Sequence, residues 1–259
     1  MLVLALDTAT PACVVALCRV EPPGRGNHGE RAEHGELAEL AELAELAGQA
    51  PVDARRSGEL LAPTIASVLD TAGVRAGQVD AVVVGLGPGP FTSLRVGIVT
   101  AASLGHALGI PVHGVCSLDA FAVGLEGTEG AGGTESPAGA VGVATDARRR
   151  ELYWATYSGG VRQSGPAVAR PPQVAEAFRS AGVRTIVGAG PVLYPELLGA
   201  AAGAGADGHL SYPLGRAVAV VGARLLGTDP APLAPLYLRR PDAAEPHPPR
   251  KVTGDRVTG

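Results

Sequence analysis

The sequence predicts an α/β protein of two lobes, and three observations carry that prediction. Apolar runs short enough for buried strands alternate with stretches at helical spacing. Two neighbouring strands followed by alternating helix and strand occur once before a Gly-rich stretch at 124–139 and again after it. A chain of 259 residues with 46% hydrophobic residues can bury a core in each half.

Met1-Leu-Val-Leu-Ala-Leu-Asp7 gives strand 2–7; it lacks a basic lead and reaches an acid after six residues, so it reads as a strand rather than a signal peptide. A second strand covers 12–20. Residues 21–56 form a variable stretch in which 36–47 repeats Glu-Leu-Ala, with leucines at 37, 40, 43 and 46. A period of three fits neither helix nor strand. Its composition favours helix, but the surrounding Pro, Gly and His predict an exposed, partly mobile loop whose glutamates form a solvated face. Helix 59–72 sets Leu61, Ile65, Val68 and Leu69 near one stripe, with Ser57 as a candidate cap.

Val79-Asp-Ala-Val-Val-Val-Gly85 is a buried strand. Gly87, Pro88, Gly89 and Pro90 then force a tight turn, from which Thr92 or Ser93 can cap helix 92–108. Strand 111–116 and a short helix capped by Ser117 or Asp119 follow, and the first lobe is expected over 1–120 with the smaller second lobe over 121–240. In the second, strands 140–145, 151–157 and 161–169 precede helix 172–181, strand 184–188 and a short helix near 193–200. Helix 214–226 is a candidate to pack back on the first lobe. The tail 241–259, with four prolines, is expected to be disordered. The order describes two ribonuclease-H-like mixed sheets with a cleft between them, the plan of the sugar-kinase/Hsp70/actin proteins, with a reduced second lobe.

Composition and motifs narrow the chemistry. With 21 basic and 25 acidic residues the net charge is −4, which gives no overall attraction to nucleic acid, and aromatics at 3% offer few stacking platforms. No run approaches the length of a membrane span. Cys13, Cys18 and Cys116 form no Cys-x-x-Cys and read as buried thiols. The turn at 87–90 is no Walker A motif, because no lysine follows it. An ATPase of this plan needs a glycine after the acid of its first phosphate loop. Here Asp7-Thr-Ala-Thr-Pro11 has Ala9 in that place, and Pro11 lacks an N–H. In the second lobe Val187-Gly-Ala-Gly-Pro191 is a thin candidate. His28, His34, His106 and His113 show no metal-ligand spacing, and no Gly-x-Ser-x-Gly elbow is present. The residues name no catalytic, cofactor-binding or metal-ligating group. Asp146-Ala-Arg-Arg-Arg-Glu151 reads as the tip of a hairpin, either a charged turn or an arginine patch for an anionic partner. Pro235-Leu-Tyr-Leu-Arg239 reads either as extended backbone pinned by Tyr237 or as a surface docking a partner through Arg239.

Gly87-Pro-Gly-Pro-Phe-Thr-Ser-Leu-Arg-Val-Gly97 followed by Gly109-Ile-Pro-Val-His-Gly-Val-Cys-Ser-Leu-Asp-Ala120 resembles the TsaB (YeaZ) family. The Asp-Ala-Arg-Arg run and the Pro-x-Tyr-x-Arg ending are similar to that family as well. Pro90 and Ser93 depart from its common Gly-Pro-Gly-Ser-Phe-Thr-Gly-Leu-Arg, and Arg56-Ser-Gly-Glu59 replaces a helix entrance often written with His. The resemblance implies a cytoplasmic, non-catalytic subunit without cofactor. Such a subunit binds and activates a TsaD-like enzyme, which forms N6-threonylcarbamoyladenosine at position 37 of tRNAs reading codons that begin with adenine. A TsaE-like ATPase would join the larger complex, a homodimer could use the same helices, and contact with tRNA would be indirect or weak.

Helix 92–108 carries little charge beyond Arg95 and His106, and Gly97, Ala101, Ala102 and Gly105 would let another backbone come close. Under the resemblance the expected partner face is Leu61, Ile65, Val68, Arg95, Val96 and Val99. The alternative is an ATP-dependent small-substrate kinase or acyltransferase acting in its own inter-lobe cleft.

Overall fold

The computed structural model describes residues 1–20, 43–53, 56–126, 139–199 and 211–239. Parts of several expected features lie outside them: 36–42 of the Glu-Leu-Ala repeat, most of the Gly-rich stretch, and the tail from 241.

A five-stranded sheet has the order β3-β2-β1-β4-β5, with β1 Leu2–Asp7, β2 Val14–Val20, β3 Leu43–Gln49, β4 Ala81–Gly85 and β5 Val112–Val115. β1 runs antiparallel to β2, from Leu2 opposite Arg19 to Asp7 opposite Val14, and parallel to β4. Side chains alternate across a strand. Leu4 and Leu6 therefore join Val15, Leu17, Val82 and Val84 on one face, beneath helices α1 (Ser57–Thr71) and α2 (Phe91–Leu108). Val3, Ala5, Ala16, Cys18 and Val83 make the other face, covered by α7 (Gly215–Ala223) through Ala217, Val218 and Ala219. Helices on both faces explain why β4 reads as an unbroken apolar run.

The second sheet has the order β8-β7-β6-β9, with β6 Ala140–Asp146, β7 Leu152–Ser158, β8 Val161–Ala169 and β9 Val183–Val187. It repeats the first sheet strand for strand but ends one short, with no counterpart of β5 among the described residues. Helix α4 (Pro171–Ser180) lays Val174 and Phe178 on one face. Two short turns of helix follow β9, α5 (Gly190–Leu193) and α6 (Pro195–Leu198). Helix α3 (Ser117–Glu126) is shared between the lobes. Its Leu118, Phe121 and Ala122 pack on Val141, Val143 and Tyr157 of the second sheet, while Ala120 and Val123 join the core under α7. The expected division at residue 120 thus falls inside a helix that serves both halves.

The last described segment, 231–239, crosses both lobes again. Leu233 packs on the first core, Leu236 packs on the α3 core, and the Leu236 amide donates to the Leu86 carbonyl at 2.8 Å. Among the described residues no helix is long and apolar enough to cross a membrane.

Three local expectations need correction. Residues 43–49 are a strand rather than a loop. The free edge of β2 supplies its hydrogen bonds, Leu43 packs into one core and Leu46 and Ala47 into the other, so sheet pairing overrides a helical composition. Neither Thr92 nor Ser93 caps α2, whose N-cap is Pro90. Ser57 is likewise the first helical residue of α1, not its cap, and Arg56 precedes it. Instead the Ser57 and Ser93 hydroxyls face each other, buried, at 3.4 Å.

Candidate partner face and inter-lobe cleft

Helix α2 has two unlike sides. Its inner side is used by the chain itself: Leu94, Ile98 and Ala101 are buried in the first core. Gly97 lies so close to β1 that a Cβ there would stand 2.4 Å from Thr8 Oγ1, which donates to the Ser93 carbonyl at 2.7 Å. Gly97, Ala101 and Gly105 therefore admit the protein's own sheet and loops, not a foreign helix. Leu61, Ile65 and Val68, expected at a partner face, are 1%, 7% and 0% exposed in the same core. The stripe was read correctly as apolar, but β2 and its neighbours already cover it.

The outer side is different. Val99 is 61% exposed, and Val96 is half-buried where α1 begins, 3.9 Å from the position of a Gly58 Cβ. Ala102, Ser103 and His106 continue the exposed strip, and the adjoining α1 presents Ala62, Pro63, Ala66 and Ser67. Arg95 is exposed but engaged: its guanidinium lies 4.0 Å over the Phe91 ring, Nε donates to Tyr237 Oη at 3.2 Å, and Phe91 stacks on Tyr237 at 4.9 Å between centroids. No spacing in the sequence links Tyr237 to a helix 142 residues earlier; the only signal is an aromatic within an otherwise Pro-rich ending.

In the inter-lobe cleft the acid of β1 is sealed away from any ligand. Asp7 is fully buried; the Ala9 amide donates to Oδ1 at 2.8 Å and Ser117 Oγ to Oδ2 at 2.5 Å. Gly85 is required beside it, since a Cβ would stand 1.9 Å from Oδ2. Burial raises the Asp7 carboxyl from 3.8 to about 6, against the lowering effect of those two hydrogen bonds. The turn after β4 fills the next place: a Cβ on Gly89 would meet the Ala9 carbonyl oxygen at 2.5 Å, so the two loops lie backbone to backbone. What remains is a cavity of about 430 Å³ lined by apolar side chains such as Ala9, Pro11, Ala12, Val52 and Leu193 together with Thr10, Ser211, Tyr212, Asp146 and Arg148. Its walls are mainly apolar, Asp7 is sealed away from it and Asp146 is paired with Arg148, so among the described residues it offers no free carboxylate for a nucleotide's metal.

Beyond Pro90 a smaller cleft of about 190 Å³ is lined by Phe91, Tyr237, Tyr153, Arg148, Arg149 and Arg239 among others. Its floor is the β6–β7 turn. Arg148, Arg149 and Arg150 have φ of 62°, 52° and 59°, a left-handed run in which the Arg148 amide donates to Asp146 Oδ1 at 2.7 Å and the Glu151 amide to the Arg148 carbonyl at 2.9 Å. Arg239 ties the turn down, donating to the Ala147 carbonyl at 2.6 Å and pairing with Glu151. The ending 235–239 is thus pinned backbone, with Tyr237 on one lobe and Arg239 on the other.

Cys13, Cys18 and Cys116 are all buried and unbridged; burial pushes the Cys18 and Cys116 thiols up to about 12. His113 sits buried in β5 with Nε2 unpartnered, and burial lowers its basicity. Among the described residues no three His, Cys, Asp or Glu side chains gather to hold a metal ion.

Two sheets of matching order with a cleft between them place the protein in the sugar-kinase/Hsp70/actin class. Comparison with known proteins narrows this. The model of the TsaD family, tRNA N6-adenosine threonylcarbamoyltransferase, matches residues 38–185. An uncharacterized protein of Mycobacterium tuberculosis is 42% identical over 258 residues, 93% of each chain. The tRNA threonylcarbamoyladenosine biosynthesis protein TsaB of Escherichia coli is 30% identical over 203 residues, 76% of this chain and 75% of that one. The solved structure of YeaZ from Pseudomonas aeruginosa is 25% identical with a TM-score of 0.58, covering 87% of this chain and 93% of that one. The chain belongs to the TsaB (YeaZ) family, and the TsaD match reflects the fold the two share.

Proposed function

We propose that the chain is a non-catalytic subunit of tRNA threonylcarbamoyladenosine biosynthesis that binds and activates a TsaD-like enzyme through the outer side of α2. The single observation carrying this is Val99, a large apolar residue 61% exposed at the middle of an 18-residue helix whose inner side is fully spent on its own core. The surface is Arg95, Val96 and Val99, extended by Ala102 and Ser103 and by the small side chains of α1. Leu61, Ile65 and Val68 support it from beneath. Small and apolar side chains allow a partner helix to approach closely and desolvate the centre of the contact. A second copy of the chain would compete for the same face, and a TsaE-like ATPase would join elsewhere. The rival reading, an ATP-dependent enzyme working in its own cleft, lacks the free acid it would need, since Asp7 is buried and spent on Ala9 and Ser117.

Native mass spectrometry of the chain mixed with a TsaD-family protein from the same organism tests the reading. A one-to-one complex is expected, formed at the expense of any homodimer. Val99→Arg should weaken it by about 100-fold, as a charge buried at an interface centre does, with the melting temperature unchanged. Undiminished association of that variant would reject the surface, and failure of the wild-type chain to associate would reject the function.

A further inference from the structure

We propose that the Arg148–Arg150 turn is an RNA-backbone contact, taking phosphodiesters of the tRNA on which the complex acts. The inference rests on the function proposed above and adds a site to it. Left-handed backbone is disfavoured for any residue with a Cβ, because the Cβ crowds the following carbonyl oxygen, and glycine is its usual occupant. This chain contains 37 glycines and uses them at ten described left-handed positions, yet three consecutive ones are arginine. A turn that merely joined β6 to β7 would lose nothing by glycine there. Such strain persists where surrounding contacts over-determine it, and it concentrates at functional sites. The contacts here are specific: Asp146 caps the Arg148 amide, the turn closes through Ala147 and Glu151, and Arg239 holds Ala147 and Glu151 from the far end of the chain.

Charge and neighbours select the ligand. Arg148, Arg149 and Arg150 are exposed, and with Arg239 they stand against two carboxylates, Asp146 and Glu151, so the patch is locally basic on a chain of net charge −4. Glu151 is taken by Arg239. The Arg148–Asp146 pair, at 3.3 Å, is 63% and 35% exposed, and such surface pairs exchange readily for a phosphate. Tyr237, 38% exposed and stacked on Phe91, lines the same cleft, so an unstacked base placed there would extend an existing stack. An acidic protein would use the arginines but has no call on the rings, which favours RNA.

The test is anisotropy of a labelled, unmodified tRNA transcript, titrated at several salt concentrations with the full-length chain alone and with its TsaD-family complex. The variants are the triple Arg148→Gly, Arg149→Gly, Arg150→Gly and the matching triple lysine. The glycine variant should melt about 3 °C higher or more, because the left-handed strain is gone. It should bind tRNA about 10-fold more weakly, with a salt slope reduced by about 2; the lysine variant should keep most of the affinity. Unchanged affinity and slope in the glycine variant would overturn the proposal, as would the absence of tRNA binding by the wild-type chain and complex. Unchanged tRNA binding with lost complex formation would assign the turn to a protein partner, also overturning it. If the wild-type complex never forms, the functional reading fails by itself, and the titration of the chain alone still decides the site.

Discussion

The hairpins that open the two lobes begin alike and end unlike. In β1–β2 and in β6–β7 the first strand closes on an aspartate whose Oδ1 accepts the amide two residues on, Ala9 for Asp7 and Arg148 for Asp146. There the likeness stops. The Asp7 turn is sealed under Gly85, Ser117 and the Gly89 loop, whereas the Asp146 turn stands in solvent and carries three arginines. One local device has been turned to structure in the first lobe and to surface in the second. The hydrogen bond to the next-but-one amide is the same; burial and the second partner, Ser117 for Asp7 and Arg148 for Asp146, separate them.

Substitutions can break that contrast or sharpen it. The largest effect belongs to Gly85→Ala, whose methyl would be forced onto Asp7 Oδ2; about 3 kcal/mol of stability should be lost in urea unfolding, the upper part of the range for overpacking. A loss below about 1 kcal/mol would mean that the Asp7 pocket yields, and the contrast with Asp146 would weaken.

Next comes the pH response of Asp7. Its carboxyl rises from 3.8 to about 6 on folding, so the folded protein holds the proton more tightly than the unfolded chain. The contribution is therefore complete below about pH 4 and is lost as pH rises through 6, about 3 kcal/mol in all. Asp7→Asn should remove that fall, so that the wild-type minus variant difference in unfolding free energy declines by this amount from pH 4 to pH 7. A flat difference would show the group to be solvated. The smallest effect is expected for Asp146→Asn. Its amide oxygen still accepts from Arg148, and only an exposed ion pair is lost, so stability should change by less than about 0.5 kcal/mol. A loss comparable to that of Gly85→Ala would erase the distinction between the hairpins.

Much of the architecture was legible because strand and helix periods are local properties. The β4 run, the Gly-Pro turn and α2 announce themselves, as does the repeat of strand order after the Gly-rich stretch. β3 was not legible, because Leu43-Ala-Glu-Leu-Ala-Gly-Gln49 becomes a strand only by meeting the free edge of β2. The caps were misread for a related reason. Serine favours an N-cap in isolation, but Ser57 and Ser93 are held inside by the packing of α1 on α2.

The candidate site divides in the same way. An apolar stripe tells that Leu61, Ile65 and Val68 will be covered, not by what, whereas Val99 lies on a helix side left exposed among the described residues. The engagement of Arg95 by Tyr237 joins segments far apart in sequence, and arginine carries no preference that would foretell left-handed backbone at 148–150.

The place of α7 has a consequence for how the protein is made. The first sheet has Val3, Ala5, Ala16 and Cys18 on a face covered chiefly by Ala217, Val218 and Ala219 of α7, with Ala120 and Val123 of α3 beside them. The whole second lobe is synthesised in between. During synthesis the first lobe is therefore left with that apolar face only partly covered until α7 has emerged, and it is completed after the second lobe's sheet.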